Sequence, residues 1–271
     1  MDDIDRFLFE DLKDIGDITS ENLFSDEKGK AVIIAKENCV LAGLEEAKLV
    51  FKKTGAKLTS NFKDGVNVKK NQKVAEISGP VISILKGERL ALNIICRMSG
   101  IATETKKLID LCKKVNPKIE ISATRKTTPG FRKYEKKAVK IGGGKTHRYG
   151  LFDEFLIKDN HIKLTGSVEK ALSKIIENKN NRIVEIEIEN KKDALTAAGL
   201  NPDVIMIDNL KLNKSKDIAK KIKEINSNIK IEISGGITMD NIIDYAKFAD
   251  RISLGYITHS IKSKDFSLEI I

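Results

Sequence analysis

The chain has 271 residues, room for one large domain or two smaller ones, and its 41% hydrophobic residues suffice for a substantial core. No apolar run approaches a membrane span, and the acidic start Met1-Asp2-Asp3-Ile4-Asp5 is unlike a secretory signal or transit peptide. The net charge of +10 comes with 5% aromatics, no tryptophan and no RNP, helix-turn-helix or zinc-finger pattern, so it reads as a lysine-rich surface plus a cationic pocket for an anionic metabolite, with no nucleic-acid partner.

In chain order, Asp5 to Asp14 reads as a helix followed by a polar connection. Strand-like runs follow at Ala31–Lys36 and Cys39–Leu44, then a helix over Glu45–Lys53, then β signals at Lys57–Phe62 and Val74–Ile77 around the turn-prone Lys63-Asp64-Gly65. Val81 to Val115 is helical in composition, with a break expected at Ser99-Gly100. Together these predict a small α+β domain over residues 1–115. Cys39, Cys96 and Cys112 have no CxxC spacing and read as reduced thiols of a cytoplasmic protein.

From Ile119 onward strands and helices alternate. Strands are expected at Ile119–Thr124, Phe155–Lys158, Ile183–Glu187, Val204–Asp208, Ile229–Ser234 and Arg251–Gly255, separated by helices such as Ser167–Glu177, Lys191–Ala198, Ser215–Ile225 and Met239–Ala246. Such alternation implies a parallel sheet, either open or closed into a barrel. Each strand ends on a residue able to bind phosphate or do chemistry, at Thr124-Arg125-Lys126, Lys158, Glu187, Asp208, Ser234 and Gly255. Polar groups at the carboxyl ends of many parallel strands suit a barrel mouth, whereas a dinucleotide fold would need GxGxxG after its first strand. With only six strands visible, an irregular, incomplete TIM-like α/β barrel over residues 116–257 is expected.

Between Thr124 and Ile162 the chain concentrates Arg, Lys and His around glycines: Thr124-Arg125-Lys126-Thr127-Thr128-Pro129-Gly130, then Gly142-Gly143-Gly144-Lys145-Thr146-His147-Arg148, then Lys158-Asp159-Asn160-His161. This density suits a small ligand with several negative charges. Gly144-Lys145-Thr146 is not a P-loop, because Val139 stands where the motif needs glycine and the preceding residues look helical. The glycines are expected to turn the chain and bring His147 and Arg148 into the site. Ser234-Gly235-Gly236 and Gly255 form the last two strand-end loops, where a phosphate commonly sits in barrels. Glu187 and Asp208 close adjacent strands and could serve sugar hydroxyls, Mg²⁺ or a developing positive charge; Glu185 and Glu189 share the face of Glu187 by strand alternation. The histidines lack zinc-ligand spacing, and His161 and His259 are open to a structural or a catalytic role.

These motifs resemble the quinolinate phosphoribosyltransferase family. The resemblance spans nearly the whole chain, from Gly16-Asp17-Ile18-Thr19 and Glu88-Arg89-Leu90-Ala91-Leu92-Asn93 through TRKTTPG, GGG-x-x-HR and KDNH to Ser234-Gly235-Gly236-Ile237 and Thr258-His259-Ser260. It is similar also, through TRKT-x-PG and GG…HR, to a pyrophosphorylase-like protein associated with molybdenum transport, but Lys158-Asp159-Asn160-His161 favours the former family. A catalytically dead barrel is the reading from another class, and retention of the charged site residues argues against it.

The resemblance implies an N-terminal α/β sandwich, an irregular barrel and a tail, residues 258–271, returning to the first domain. It implies quinolinate and phosphoribosyl pyrophosphate (PRPP) with Mg²⁺ as substrates and cofactor. It also implies a homodimer with shared sites, in some members assembled further, as in a hexamer. Arg89 would reach across to the neighbouring chain. Thr124, Arg125, Lys126, His147, Arg148 and Lys158 would hold quinolinate and the anionic groups of PRPP. Glu187 and Asp208 would serve the ribose and Mg²⁺, and Ser234, Gly235, Gly236 and Gly255 a phosphate. Lys126, Lys158, Glu187 and Asp208 would be the catalytic group. Two features depart from the family pattern: Ala123 before Thr-Arg-Lys, and Ala246-Lys247-Phe248-Ala249-Asp250, which lacks the usual glycine.

Overall fold

Asp2 caps the first helix of the chain, whose computed structural model describes residues 2–271. Its side chain accepts the Asp5 N–H at 3.0 Å while Asp5 accepts the Asp2 N–H at 3.1 Å, a reciprocal capping box that starts α1 (Asp3–Leu12). After α2 (Ser20–Leu23) come β1 (Lys28–Ala35) and β2 (Cys39–Val40). Next is α3 (Leu44–Thr54), bounded by Gly43 and Gly55, both in the left-handed region that glycine enters without strain. Its Leu44, Ala47, Val50 and Phe51 recur at helical spacing and are buried. Then follow β3 (Lys57–Thr59), β4 (Asn67–Val68) and β5 (Lys73–Pro80), before the long α4 (Val81–Lys113).

The second half runs β6 (Glu120–Ser122), α5 (Arg132–Ile141), β7 (Phe155–Ile157), α6 (Asp159–Thr165), α7 (Val168–Ile176), β8 (Val184–Ile188) and α8 (Lys191–Gly199). It continues with β9 (Val204–Asp208), α9 (Leu212–Ile225), β10 (Lys230–Ser234), α10 (Ile242–Ala246), β11 (Arg251–Ser253), α11 (Tyr256–His259) and β12 (Phe266–Ile270).

Two compact units result. The first comprises residues 1–106, 130–143 and 260–271. Its four-stranded sheet has the order β12-β1-β5-β3, with antiparallel pairing throughout. The second comprises residues 107–129 and 144–259, with a six-stranded parallel sheet in the order β6-β11-β10-β9-β8-β7. Every consecutive strand pair from β7 to β11 is bonded, and β11 returns to β6; β6 and β7 are not paired. This is a barrel with one open seam. Strand β8, paired on both sides, is buried at all five residues, as a strand covered on both faces must be.

The compact units are not contiguous in sequence: residues 130–143 join the first unit, and one boundary falls inside α4. The reason is specific contact: Glu135 pairs with Arg97 at 2.9 Å and Lys137 with Glu46 at 2.6 Å, while Phe131 and Tyr134 pack on Phe7. Nor does α4 break at Ser99-Gly100. Ser99 Oγ donates to Ala42 O and accepts the Ala42 N–H, and a Cβ on Gly100 would lie 2.6 Å from Lys262 O. The small pair is there for close backbone approach, not for a turn. No helix among the described residues is long and apolar enough to cross a membrane.

Candidate active site

The carboxyl ends of the parallel strands surround a cavity of about 510 Å³ in the second unit. Thr124, Arg125 and Lys126 leave β6 into its wall. Lys126 N–H donates to Thr124 Oγ1 at 3.0 Å, and Thr258 Oγ1 donates to Lys126 O at 2.7 Å, so the loop is tied at both ends. Arg125 keeps a buried Nε with no hydrogen-bond partner among the described residues, a donor available to a ligand. Gly255 lines the same wall; a Cβ there would sit 2.9 Å from Lys126 Cδ and 3.1 Å from His259 Nε2.

The glycine segment behaves as a turn followed by an extension of the sheet. Gly143 has φ 90°, and Lys145 then runs parallel beside β6, donating to Ile121 O at 2.8 Å and accepting from Ala123 N at 2.9 Å. The chain next enters the left-handed region at His147, φ 53°, a conformation costing a non-glycine residue about 1–2 kcal/mol. Arg148 follows, 6% exposed, on the cavity wall. Burial, then the neighbouring Arg125 charge, push its guanidinium pKa down, while Glu185 and Glu154 pull it back.

On the same cavity, Lys158 follows β7 and pairs with Glu187 of β8 at 3.1 Å. Asp208 ends β9. Ser234, Gly235 and Gly236 end β10, the two glycines at φ 78° and 63°, and Asn209 N donates to Ser234 O at 3.1 Å. Glu187, Glu189 and Asp208 each place a carboxylate oxygen within 4.8 Å of the others, a set of hard oxygen donors suited to Mg²⁺.

A buried ionic network underlies the cavity. His147 Nε2 lies 2.9 Å from Glu185 Oε2 and 3.7 Å from Glu232 Oε1. Glu232 also accepts from Ser253 Oγ and pairs with Arg251 at 3.1 Å, and Arg251 pairs in turn with Glu120 at 3.1 Å. Burial pushes the Glu185 carboxyl up to about 7. Burial and then the charge of Glu185 do the same to Glu232, also to about 7. For Arg251 burial works the other way, but Glu232 and Glu120 outweigh it and hold the guanidinium above its ordinary value.

His147, Glu154 and Glu185 could also be read as a metal group, since their ligand atoms approach within 4.8 Å. His147 Nδ1, however, accepts the Arg148 N–H at 2.8 Å, which leaves the ring proton on Nε2, pointing at Glu185. The group is therefore held together by hydrogen bonds of its own.

Every expected site residue except Arg89 lines this one cavity. Arg89 is exposed on α4 of the first unit. His161 faces a separate cavity of about 320 Å³, and its Nδ1 accepts the Lys158 N–H at 2.9 Å, a structural role at the start of α6. His259 lines the main cavity. Sequence reasoning missed Glu232 and Ser253 as lining residues. For Glu232 the signal was the alternation Lys230, Glu232, Ser234 along β10, which puts it on the face that Ser234 presents to the cavity.

Comparison with known proteins follows the same lines. The family model "Quinolinate phosphoribosyl transferase, N-terminal domain" matches residues 17–99, and that of the C-terminal domain matches residues 101–269. A protein of Archaeoglobus fulgidus named probable nicotinate-nucleotide pyrophosphorylase [carboxylating] is 40% identical over 259 residues, covering 94% of this chain and 98% of its own. The rat nicotinate-nucleotide pyrophosphorylase [carboxylating] is 36% identical, covering 89% of this chain and 81% of its own. The solved structure of the nicotinate-nucleotide pyrophosphorylase from Francisella tularensis superposes with a TM-score of 0.91 at 36% identity, covering 99% of this chain and 94% of that one.

Proposed function

The chain belongs to the quinolinate phosphoribosyltransferase family, and from that premise we propose that it transfers the phosphoribosyl group of PRPP to quinolinate with loss of CO₂, forming nicotinate mononucleotide and pyrophosphate in de novo NAD synthesis. One observation carries this reading: a single cavity is lined both by Arg125, Lys126, Arg148 and Lys158 and by the carboxylates of Glu187 and Asp208, together with the Ser234–Gly236 loop. Quinolinate brings two carboxylates and PRPP a phosphate and a diphosphate. The reaction between them also develops positive charge, so both signs are needed.

Arg125 and Arg148, with Lys158 and the Thr124 hydroxyl, hold the dicarboxylate by charge-assisted hydrogen bonds. The Ser234–Gly236 loop and Gly255 hold the 5′-phosphate of PRPP through backbone N–H groups that glycine leaves unobstructed. As the bond from ribose C1 to pyrophosphate breaks, C1 gains oxocarbenium character, which the Glu187 and Asp208 carboxylates stabilise. Lys126 neutralises the departing diphosphate. The pyridine nitrogen then bonds to C1. The nitrogen's positive charge accepts the electrons of the C2–carboxylate bond, CO₂ leaves, and C2 takes a proton. Glu187 and Asp208 fit a Mg²⁺ brought in with PRPP, and the bound ion would supply further neutralisation of the diphosphate.

The enzyme is a homodimer, or a higher assembly such as a hexamer, in which the exposed Arg89 completes the neighbour's site. The three cysteines are free, and burial pushes Cys39 and Cys112 up to about 11, as suits inert thiols in the cytoplasm. The test is a single-turnover experiment with quinolinate labelled in its 2-carboxylate. CO₂ and pyrophosphate released one for one, with no ribosyl-enzyme adduct, support direct transfer; a trapped adduct or unlabelled CO₂ refutes it.

A further inference from the structure

The notable feature of His147 is that both ring nitrogens are engaged inside the protein. Nδ1 accepts the Arg148 N–H at 2.8 Å and Nε2 donates to Glu185 Oε2 at 2.9 Å, while only 6% of the side chain is exposed. The ring would have to give up one of these bonds to offer a nitrogen to a ligand. What it does hold is its own backbone, left-handed without being glycine, at the residue that sends Arg148 onto the cavity wall. Glu185 is the anchor of this arrangement. It is fully buried on β8, its Oε1 has no hydrogen-bond partner among the described residues, and its charge lies close enough to act on the Arg148 guanidinium.

We propose that Glu185 is a positioning residue for the dicarboxylate substrate: through His147 it fixes the turn that presents Arg148 beside Arg125, and so sets the affinity for quinolinate but not for PRPP. The inference rests on the proposed function in taking quinolinate as the ligand of Arg148. His147, which also lines the cavity, thereby holds another group in place. The carboxylate accepts one proton-bearing nitrogen, and that bond selects the Nε2–H form of the ring. A side chain keeping the acceptor oxygen should therefore keep the site. Losing the acceptor frees the ring, relaxes the left-handed turn and lets the guanidinium retreat.

The test compares Glu185→Gln, which retains an acceptor oxygen, with Glu185→Leu, which does not. Losing a charge-assisted hydrogen bond weakens binding roughly tenfold or more, so Glu185→Leu should raise the quinolinate KM by about that factor with the PRPP KM held within about twofold. Glu185→Gln should stay within about threefold of the wild type for both substrates. In parallel, ¹⁵N spectra of histidine-labelled wild-type enzyme, with His147 assigned by its loss in His147→Asn, should show the proton on Nε2. A proton on Nδ1, equal rises in both KM values, or a Gln variant no better than Leu would overturn the proposal. Should Glu185→Leu not fold, the Gln variant's quinolinate KM and the wild-type tautomer still decide it. Failure of the wild type to turn over quinolinate in these assays would count against the proposed function instead, while the tautomer tests the His147–Glu185 bond on its own.

Discussion

Replacing Gly235 by alanine should damage the loop after β10 far more than the same change one residue later. At Gly235 the added Cβ would stand 2.1 Å from Asn209 Oδ1 and 2.8 Å from Asn209 N, and φ is 78°. The side-chain oxygen could rotate away. The backbone nitrogen could not, because it donates to Ser234 O at 3.1 Å and ties the ends of β9 and β10 together. At Gly236, φ is 63° and nothing lies within 4 Å, so only the left-handed conformation is penalised. That penalty is about 1–2 kcal/mol, and overpacking at Gly235 adds about 1–3 kcal/mol. Gly235→Ala should therefore lose about 2–5 kcal/mol and Gly236→Ala about 1–2 kcal/mol, each kcal/mol lowering Tm by about 2–4 °C. Thermal melts of both variants, with and without PRPP, measure this. Gly235→Ala should melt lower and lose most of its PRPP-induced shift. Equal melting of the two variants would refute the steric argument, and an intact PRPP shift in Gly235→Ala would refute the loop's role in binding phosphate.

Lys126→Ala should lower kcat/KM by about 100-fold or more with an unchanged circular dichroism spectrum, since Lys126 is exposed; near wild-type turnover would contradict the proposed place of Lys126 beside the leaving group. Arg148→Ala should lose activity and stability together, because the guanidinium is buried beside Glu185 and Glu154 and its removal leaves those acids uncompensated. Glu232 holds a proton in the folded state up to about pH 7 that the unfolded chain releases near its ordinary value of 4.5. Between those values the folded form binds more protons, so this group's contribution to stability falls as pH rises and is flat on either side. Glu232→Gln should remove that slope, and chemical denaturation from pH 5 to 8 would show the variant gaining on the wild type; a parallel pair of curves would contradict the assignment. Mixing Arg89→Ala chains with Lys158→Ala chains should restore part of the activity neither homomer has, and no restoration would argue against shared sites.

The strand ends were legible because chemistry and periodicity coincide there. Val204–Asp208 was anticipated to the residue, and Thr124, Lys158 and Gly255 fall one or two positions beyond their strands, where loops of a barrel mouth belong. Assignment of α5 to a unit was not legible. Its amphipathic pattern announces a helix, but the partners that claim it, Arg97 and Glu46, lie 38 and 91 residues away. Composition misled at Ser99-Gly100, where a pair that usually marks a turn serves close packing inside an uninterrupted helix. At the site, the cations could be read from motif alone. The acids beneath them could not, because Glu185 and Glu232 look like ordinary alternating strand residues until burial removes their solvent and His147 and Arg251 take its place.

Whether one cationic cavity joins PRPP to a pyridine dicarboxylate is decided by incubating the purified protein with PRPP and Mg²⁺ and with either quinolinate or nicotinate, and measuring mononucleotide and CO₂. Nicotinate mononucleotide and CO₂ in equal amounts from quinolinate, with no product from nicotinate, is the predicted result. Turnover of nicotinate, or of neither acid, would contradict it.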